Sequence, residues 1–150
     1  MNEREQYFYM LFDTLEDAKN IHTEASAILP LLVSVHECGE ALYKRIDILL
    51  SQGANINAQT DQQDTAVILA GWAHKSLDLV RYLVERGADV NISNENGDTP
   101  LIDAAHLGTN DILKFLLQHG AERQFKNNAG LSARAMAEKS GNAVGLELLS

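Results

Sequence analysis

The residues best suited to chemistry are a histidine and a cysteine two positions apart, His36 and Cys38. An imidazole beside a thiol is the pairing of a cysteine nucleophile with its base, and both groups are also zinc ligands. A zinc site needs three or four ligands, and the remaining candidates His22, His74 and His119 are scattered and expected in turns or at the surface. Phosphate-binding, metalloprotease and hydrolase motifs are absent from the sequence. The sequence therefore predicts no enzyme activity, metal or cofactor, and catalysis or metal binding by His36 and Cys38 is the less favoured alternative.

Acidic residues outnumber basic ones, 21 against 12 over 150 residues, which leaves a net charge of −9. This balance excludes a sequence-independent nucleic-acid binder and a protein held on anionic lipid, because both require clustered lysine and arginine. A single cysteine excludes an internal disulfide framework. The longest apolar run, residues 27–35, is too short to span a bilayer, and the N-terminus does not resemble a secretory signal. We therefore expect a protein of the reducing cytoplasm.

Two sets of residues recur with the same period, and this repeat determines which elements position the candidate side chains. Gly53, Gly87 and Gly120 each follow an apolar stretch and are 34 and then 33 residues apart. The hydroxyl residues Thr65, Thr99 and Ser132 show the same two spacings, and each lies 12 residues after its glycine. Agreement between two anchors over three units is strong evidence for a repeat architecture.

The residue types at these anchors indicate a pair of helices in each unit. A threonine followed by proline, as at Thr99 and Pro100, caps and begins a helix. The small residues that follow predict a short helix, and Gly108 predicts a tight turn after it. The apolar stripe beyond Gly108 predicts a second helix, which ends at Gly120. The 12-residue connection to the next unit is rich in asparagine and glycine and predicts a hairpin-like loop, here called a finger.

These motifs resemble the ankyrin repeat over about 120 residues. The matching segments run from Gly87 to Asn91 (Gly-Ala-Asp-Val-Asn) and from Thr99 to Leu101 (Thr-Pro-Leu), and continue with paired alanines, a glycine turn and paired leucines. Two positions depart from the family pattern, since Ile102 replaces its histidine and Gln63 replaces one finger glycine. The resemblance implies an all-α ankyrin-repeat solenoid of about four helix-turn-helix units with hairpin-like fingers and an N-terminal capping helix.

The repeat divides a single domain, residues 1–150, into five parts. The first unit is degenerate, and we align its Leu29 and Pro30 with the helix start at Thr99 and Pro100. The last unit is interpreted as a natural C-terminal cap, with truncation of a longer array as the alternative. The parts are an N-terminal capping helix (1–20), degenerate repeat 1 (21–57), repeat 2 (58–91), repeat 3 (92–124) and capping repeat 4 (125–150).

The resemblance implies that partners bind on a concave face made by the fingers and the first helices. Trp72, the sole tryptophan, falls at an exposed variable position of that face, where it is either a contact residue or packed under the following turn. One extra residue between 73 and 77 enlarges the adjacent turn. Five acidic residues of the predicted face would attract a basic partner. The predicted partner-binding residues are Trp72, His106, Asp61, Asp64, Glu95, Asn96, Asp98, Asp103, His36 and Lys139.

The predicted function is therefore non-enzymatic binding of a protein partner, expected to be basic, by a chain that is a monomer when free. A small acidic domain of this kind suits an inhibitor or immunity-type protein that blocks its partner. The alternative is a scaffold or adaptor fragment of a longer array.

Overall fold

The computed structural model describes residues 26–27, 29–30, 32–33 and 39–150, and they form stacked pairs of helices. Beyond the helices, two isolated antiparallel bridges, Gln59 with Thr65 and Lys126 with Ser132, close the bases of two fingers. The capping helix predicted for residues 1–20 lies outside the described residues. From residue 39 onward the helices are α1 (Glu40–Ser51), α2 (Ala66–Trp72), α3 (Leu77–Glu85), α4 (Pro100–Leu107), α5 (Asn110–Gln118), α6 (Ala133–Ser140) and α7 (Ala143–Leu148).

The three hydroxyl anchors are the N-caps of the three inner helices, as the repeat predicts. The side chains of Thr65, Thr99 and Ser132 each accept a hydrogen bond from the backbone N–H three residues ahead, at 3.3, 3.4 and 3.3 Å. Such caps satisfy one of the free donors at a helix start. They fix where α2, α4 and α6 begin, and therefore which side chains of these helices reach the surface.

A residue with left-handed backbone conformation recurs at the finger tips, and in one finger this residue is not glycine. Gly97 has φ +77°, and a Cβ atom there would lie 2.7 Å from the Asn128 side chain, so glycine also permits close approach of the next finger. Gln63 takes the equivalent conformation with φ +62°. The missing glycine therefore leaves the finger fold intact, although at a conformational cost for a side chain other than glycine.

The helices form two layers in which each unit packs on the next. The inner helices α2, α4 and α6 pack in order, as do the outer helices α3, α5 and α7. Leu83 of α3 and Leu116 of α5 are completely buried, which confirms the predicted repeat register. An all-α helical solenoid of this kind is the predicted fold class.

The first unit differs from its predicted alignment. Ser26 and Ala27 are already helical, so a helix is present before the Leu29–Pro30 pair that was aligned with the helix start at Thr99. The helix start therefore does not lie at Leu29, which lacks a side-chain oxygen with which to cap a helix. Leu29 is instead a fully buried core residue, as are Leu32 and Val33.

A polar and aromatic cluster on the outer layer joins the first unit to the second. Tyr43 of α1 stacks on Tyr82 of α3 with ring centroids 4.2 Å apart, and the Arg86 guanidinium lies 3.3 Å from the centroid of the Tyr82 ring. Asp47 accepts hydrogen bonds from Arg86 Nε and from the Tyr82 hydroxyl, both at 2.6 Å. Burial, together with the bond to Asp47, raises the pKa of Tyr82 to about 12. These contacts fix α1 against α3.

The far end of the stack carries charge where the inner interfaces are apolar. Arg134 and Glu138 on α6 occupy the positions of Leu101 and Ala105 on α4, which are buried against α6. Both charged residues are exposed and form an ion pair at 3.5 Å. A polar outer face is what a terminal unit of a solenoid needs. The capping role of repeat 4 stays a prediction.

Truncation of the central leucines tests the packing between units. We expect Leu83→Ala and Leu116→Ala each to lower the free energy of unfolding by about 2–5 kcal/mol, because each leaves a cavity between two layers. Urea unfolding followed by circular dichroism measures this. Leu77→Ala is the control, since this side chain is only half-buried. Equal losses for all three variants would contradict the two-layer core.

Replacement of Gln63 by glycine tests the backbone strain in the first finger. Gln63→Gly should raise the free energy of unfolding by up to about 1 kcal/mol, because glycine adopts positive φ without steric penalty. The exposed side chain loses little, and the backbone hydrogen bonds of residue 63 to Thr60 and Gln59 remain possible. Gln62→Gly, at a neighbouring exposed position without positive φ, should instead destabilise. A stability loss in both variants would rule out strain at Gln63.

Candidate protein interface

The exposed positions of the inner helices form a row along one surface. Trp72, His106 and Lys139 each lie seven residues after the N-cap of their helix, and all three are exposed. Because α2, α4 and α6 pack in order, these side chains follow one another from unit to unit. Trp72 is 54% exposed, so it does not pack under the following turn. We call the surface formed by this row and the fingers the inner face.

The finger tips add exposed carboxylates to the inner face. Adjacent fingers are joined by backbone hydrogen bonds, from Glu95 N to Gln62 O at 3.1 Å and from Asn128 N to Asn96 O at 2.9 Å. This ladder aligns the exposed side chains of Asp61 and Glu95, which make no ion pair with any described residue. The exposed Asn96 lies beside Glu95. Fingers of repeats 2 and 3 therefore present two unneutralised carboxylates.

Two further carboxylates, directly before the N-caps, serve the finger structure. Asp64 accepts a hydrogen bond from the Asn94 side-chain amide at 3.2 Å, and Asp98 accepts one from the Asn127 amide at 2.7 Å. The same asparagines accept bonds from the backbone of their own fingers. Asp64 and Asp98 are half-buried. They link each finger to the next and are less available to a partner than Asp61 and Glu95.

Asp103 lies on α4, four residues after its N-cap. Its register equivalents in the neighbouring units are Leu69 and Met136, which pack against the core. The Oδ2 atom of Asp103 is shielded from solvent and has no hydrogen-bond partner among the described residues. Burial, reinforced by the nearby charges of Asp98 and Asp64, raises the pKa of Asp103 from 3.8 to about 7.

Nine of the ten residues that the sequence nominates are described, and they fall on the fingers or inner helices as expected. His36 lies outside the described residues, as does its neighbour Cys38. The nine divide by role into exposed side chains, carboxylates that link fingers and one shielded carboxyl. The exposed ones are Trp72, His106, Lys139, Asp61, Glu95 and Asn96; the linking ones are Asp64 and Asp98; the shielded one is Asp103. Whether they bind a partner stays a prediction.

The enlarged turn beside Trp72 contacts the preceding unit. Four residues separate α2 from α3, where two separate α4 from α5, and Lys75 takes a left-handed conformation with φ +50°. His74 Nε2 donates a hydrogen bond to the Val33 carbonyl at 2.5 Å. The turn therefore ties the Trp72 end of α2 to the first unit, which the sequence pattern did not indicate.

Sequence reasoning also missed the asparagine links between fingers. Asn94 and Asn127 lie five residues before their N-caps, at repeat spacing, while Thr60 occupies that position in repeat 2. The recurrence of an amide at this position is the signal that was available. It did not identify the acceptors, because they belong to the preceding unit.

Among the described residues, His, Cys, Asp and Glu side chains form no group of three or more able to hold a metal ion. Nor does any helix in the described part have the length and hydropathy that crossing a bilayer demands.

The shielded carboxyl predicts an unusual pH dependence of stability. Asp103 is protonated in the folded chain up to a pH of about 7 but only up to about 3.8 when unfolded. Its contribution to stability is therefore fully present below pH 3.8 and is lost as the pH rises through about 7.

Urea unfolding as a function of pH measures this effect. Asp103→Asn should remove the fall in the free energy of unfolding between pH 3.8 and about pH 7. Asp111→Asn, on the exposed surface of α5, should retain this fall. Identical slopes for Asp103→Asn and the unmodified chain would contradict the raised pKa.

Comparison with known proteins agrees with the geometry. A family model described as ankyrin repeats (3 copies) matches residues 31–127 and 73–149. Human ankyrin repeat domain-containing protein 63 is 32% identical over 126 residues, which cover 81% of this chain and 33% of that protein. An ankyrin repeat-containing protein of Schizosaccharomyces pombe is 36% identical over 93 residues, 61% of this chain and 43% of the relative.

An ankyrin repeat and KH domain-containing protein of Caenorhabditis briggsae is 38% identical over 88 residues, 57% of this chain and 3% of the relative. The chain thus spans less than half the length of each of these relatives. Ankyrin repeats are a protein-interaction fold and are typically non-enzymatic. With helix pairs, fingers and family match in agreement, the chain belongs to the ankyrin repeat family.

Proposed function

We propose that this chain binds a basic segment of a protein partner on its inner face and has no catalytic activity of its own. The observation that carries the proposal is the pair of exposed carboxylates, Asp61 and Glu95, on adjacent fingers of the face that also exposes Trp72. A partner with lysine or arginine in register would neutralise both carboxylates. Such complementary charge steers association and selects partners.

Trp72 supplies the apolar anchor of the proposed interface. Its half-exposed indole presents a large rigid surface that loses little conformational entropy on binding. The bond from His74 to Val33 fixes the turn beside it. An indole also attracts lysine and arginine through its ring face. The aromatic anchor and the finger carboxylates therefore favour the same class of partner, one with cationic side chains.

The opposite end of the row has a different character. Lys139 is exposed and forms no ion pair with any described residue, and the finger of repeat 4 carries Asn128 where the others carry Asp61 and Glu95. Positive charge at this end would disfavour a uniformly basic segment that extends across all units. The proposed partner segment therefore places its cations over repeats 2 and 3.

Charge reversal on the fingers tests this assignment. The unmodified, immobilised chain should retain a basic protein and release it at raised ionic strength, and Asp61→Lys with Glu95→Lys should abolish this retention. Trp72→Ala should weaken retention without changing that salt dependence, because it removes an apolar contact. The matched control is Asp78→Lys with Asp111→Lys, which makes the same change in net charge on the outer helices.

The retained protein is identified by mass spectrometry. Unchanged retention by both the finger variant and Trp72→Ala would refute the inner face as the binding surface. Equal loss in the finger variant and in the outer-helix control would show that net charge alone is responsible.

A further inference from the structure

Asp103 is the one acidic residue of the inner face that has a shielded carboxylate oxygen without a hydrogen-bond partner among the described residues. We propose that binding of a cationic segment to repeats 2 and 3 expels a proton from Asp103, so that affinity for such a partner rises with pH around neutrality. This inference rests on the proposed function and specifies how that interface is regulated. Its basis is the position of Asp103 among carboxylates and apolar side chains.

The apolar surroundings follow from the repeat register. The position four residues after the N-cap holds Leu69 in α2 and Met136 in α6, on the helices that pack on either side of α4. In this row the Oδ2 atom of the Asp103 carboxyl is shielded from solvent. Loss of solvation disfavours the charged form of an acid.

Two acidic residues act on the pKa of Asp103 in the same direction as burial does. Burial raises this pKa, and the charges of Asp98 and Asp64 raise it further, to about 7. The helix α2 contains no charged residue. Other titratable or charged side chains on the elements packed with α4 are His106 on α4 itself, Asp111 and Lys114 on α5, and Arg134, Glu138 and Lys139 on α6. Within the described residues, none of these forms an ion pair with Asp103.

The neighbouring carboxylates differ from Asp103 in having donors of their own. Asn94 and Asn127 donate side-chain hydrogen bonds to Asp64 and Asp98, respectively. These bonds hold the two acids in place in the fingers. Asp103 Oδ2 accepts no hydrogen bond from any described residue, so the protonation of Asp103 changes when the local charge changes.

A cation of the partner acts on the pKa of Asp103 in the opposite direction. Lysine or arginine docked on the fingers offsets the charges of Asp64 and Asp98 and adds a favourable charge for ionised Asp103. The pKa of Asp103 therefore falls on binding, and a fraction of a proton is released near neutral pH. Linkage requires the converse, that ionisation of Asp103 strengthens binding. The expected gain in affinity is up to about tenfold between about pH 6 and about pH 8.

A hexa-arginine peptide is the probe, and the emission of Trp72, the sole tryptophan, together with titration calorimetry, measures its binding to the full chain. Calorimetry near neutral pH in two buffers of different ionisation enthalpy gives the number of protons released. The unmodified chain should release a fraction of a proton and bind more tightly as the pH rises. Asp103→Asn, which is nearly isosteric, should release fewer protons on binding and show a weaker pH dependence than the unmodified chain, whereas Asp111→Asn should behave as the unmodified chain does.

Different outcomes separate this inference from the proposed function. Peptide binding that releases no proton would overturn the inference and leave the proposed function standing. Absence of peptide binding at about pH 6 and also at about pH 8 would overturn this inference and the proposed function. An NMR titration of the free chain gives a measurement that does not depend on the peptide. The chemical shift of the Asp103 side-chain carboxyl carbon should change with a midpoint near pH 7. A midpoint near the ordinary value of about 4 would overturn the inference even if the peptide binds.

Discussion

Burial of each unit by the next is the interaction on which every other feature of this chain depends. A single helix pair cannot cover its own apolar faces, so α4 is stable only between α2 and α6, and α5 only between α3 and α7. This nearest-neighbour packing keeps the repeat at 33 or 34 residues, because a shift would expose side chains such as Leu83 and Leu116. The residue that repeat 2 gains lies between the layers, in the turn before α3.

The same packing creates the candidate interface. Once units are superimposed at constant spacing, any position of the repeat becomes a row across the stack, and the chemistry of the surface is set one row at a time. The row of Trp72 is exposed and varied, while the row of Leu69 and Met136 is apolar except for Asp103. Hydrogen bonds between fingers, such as Glu95 to Gln62, keep the outer rows aligned. Rigidity of this kind lowers the entropy lost when a partner binds.

The local signals in the sequence were sufficient for the fold and for the face. Hydroxyl caps such as Thr99 act over three residues, so spacing alone located the inner helices. The contacts between units were not predictable in the same way. The acceptor of the Asn127 amide, the bond from His74 to Val33 and the shielding of Asp103 all depend on side chains about 30 residues or more apart in sequence. Where a cap was missing, as at Leu29, the predicted helix start was wrong.

Asp103 is the point at which the fold and the interface make opposite demands. The packing rule favours an apolar side chain there, as in the units on either side, and a carboxyl in that row destabilises the folded chain when it is ionised. A residue that opposes the packing of its own stack is a candidate for function, because agreement between local choice and fold is the usual condition of a stable protein. Under the proposed function, a cation of the partner removes the conflict, since it offers the ionised carboxyl the favourable charge that the free chain lacks. In that proposal the binding partner, rather than the fold, supplies the interaction that makes an acidic residue suitable at this position.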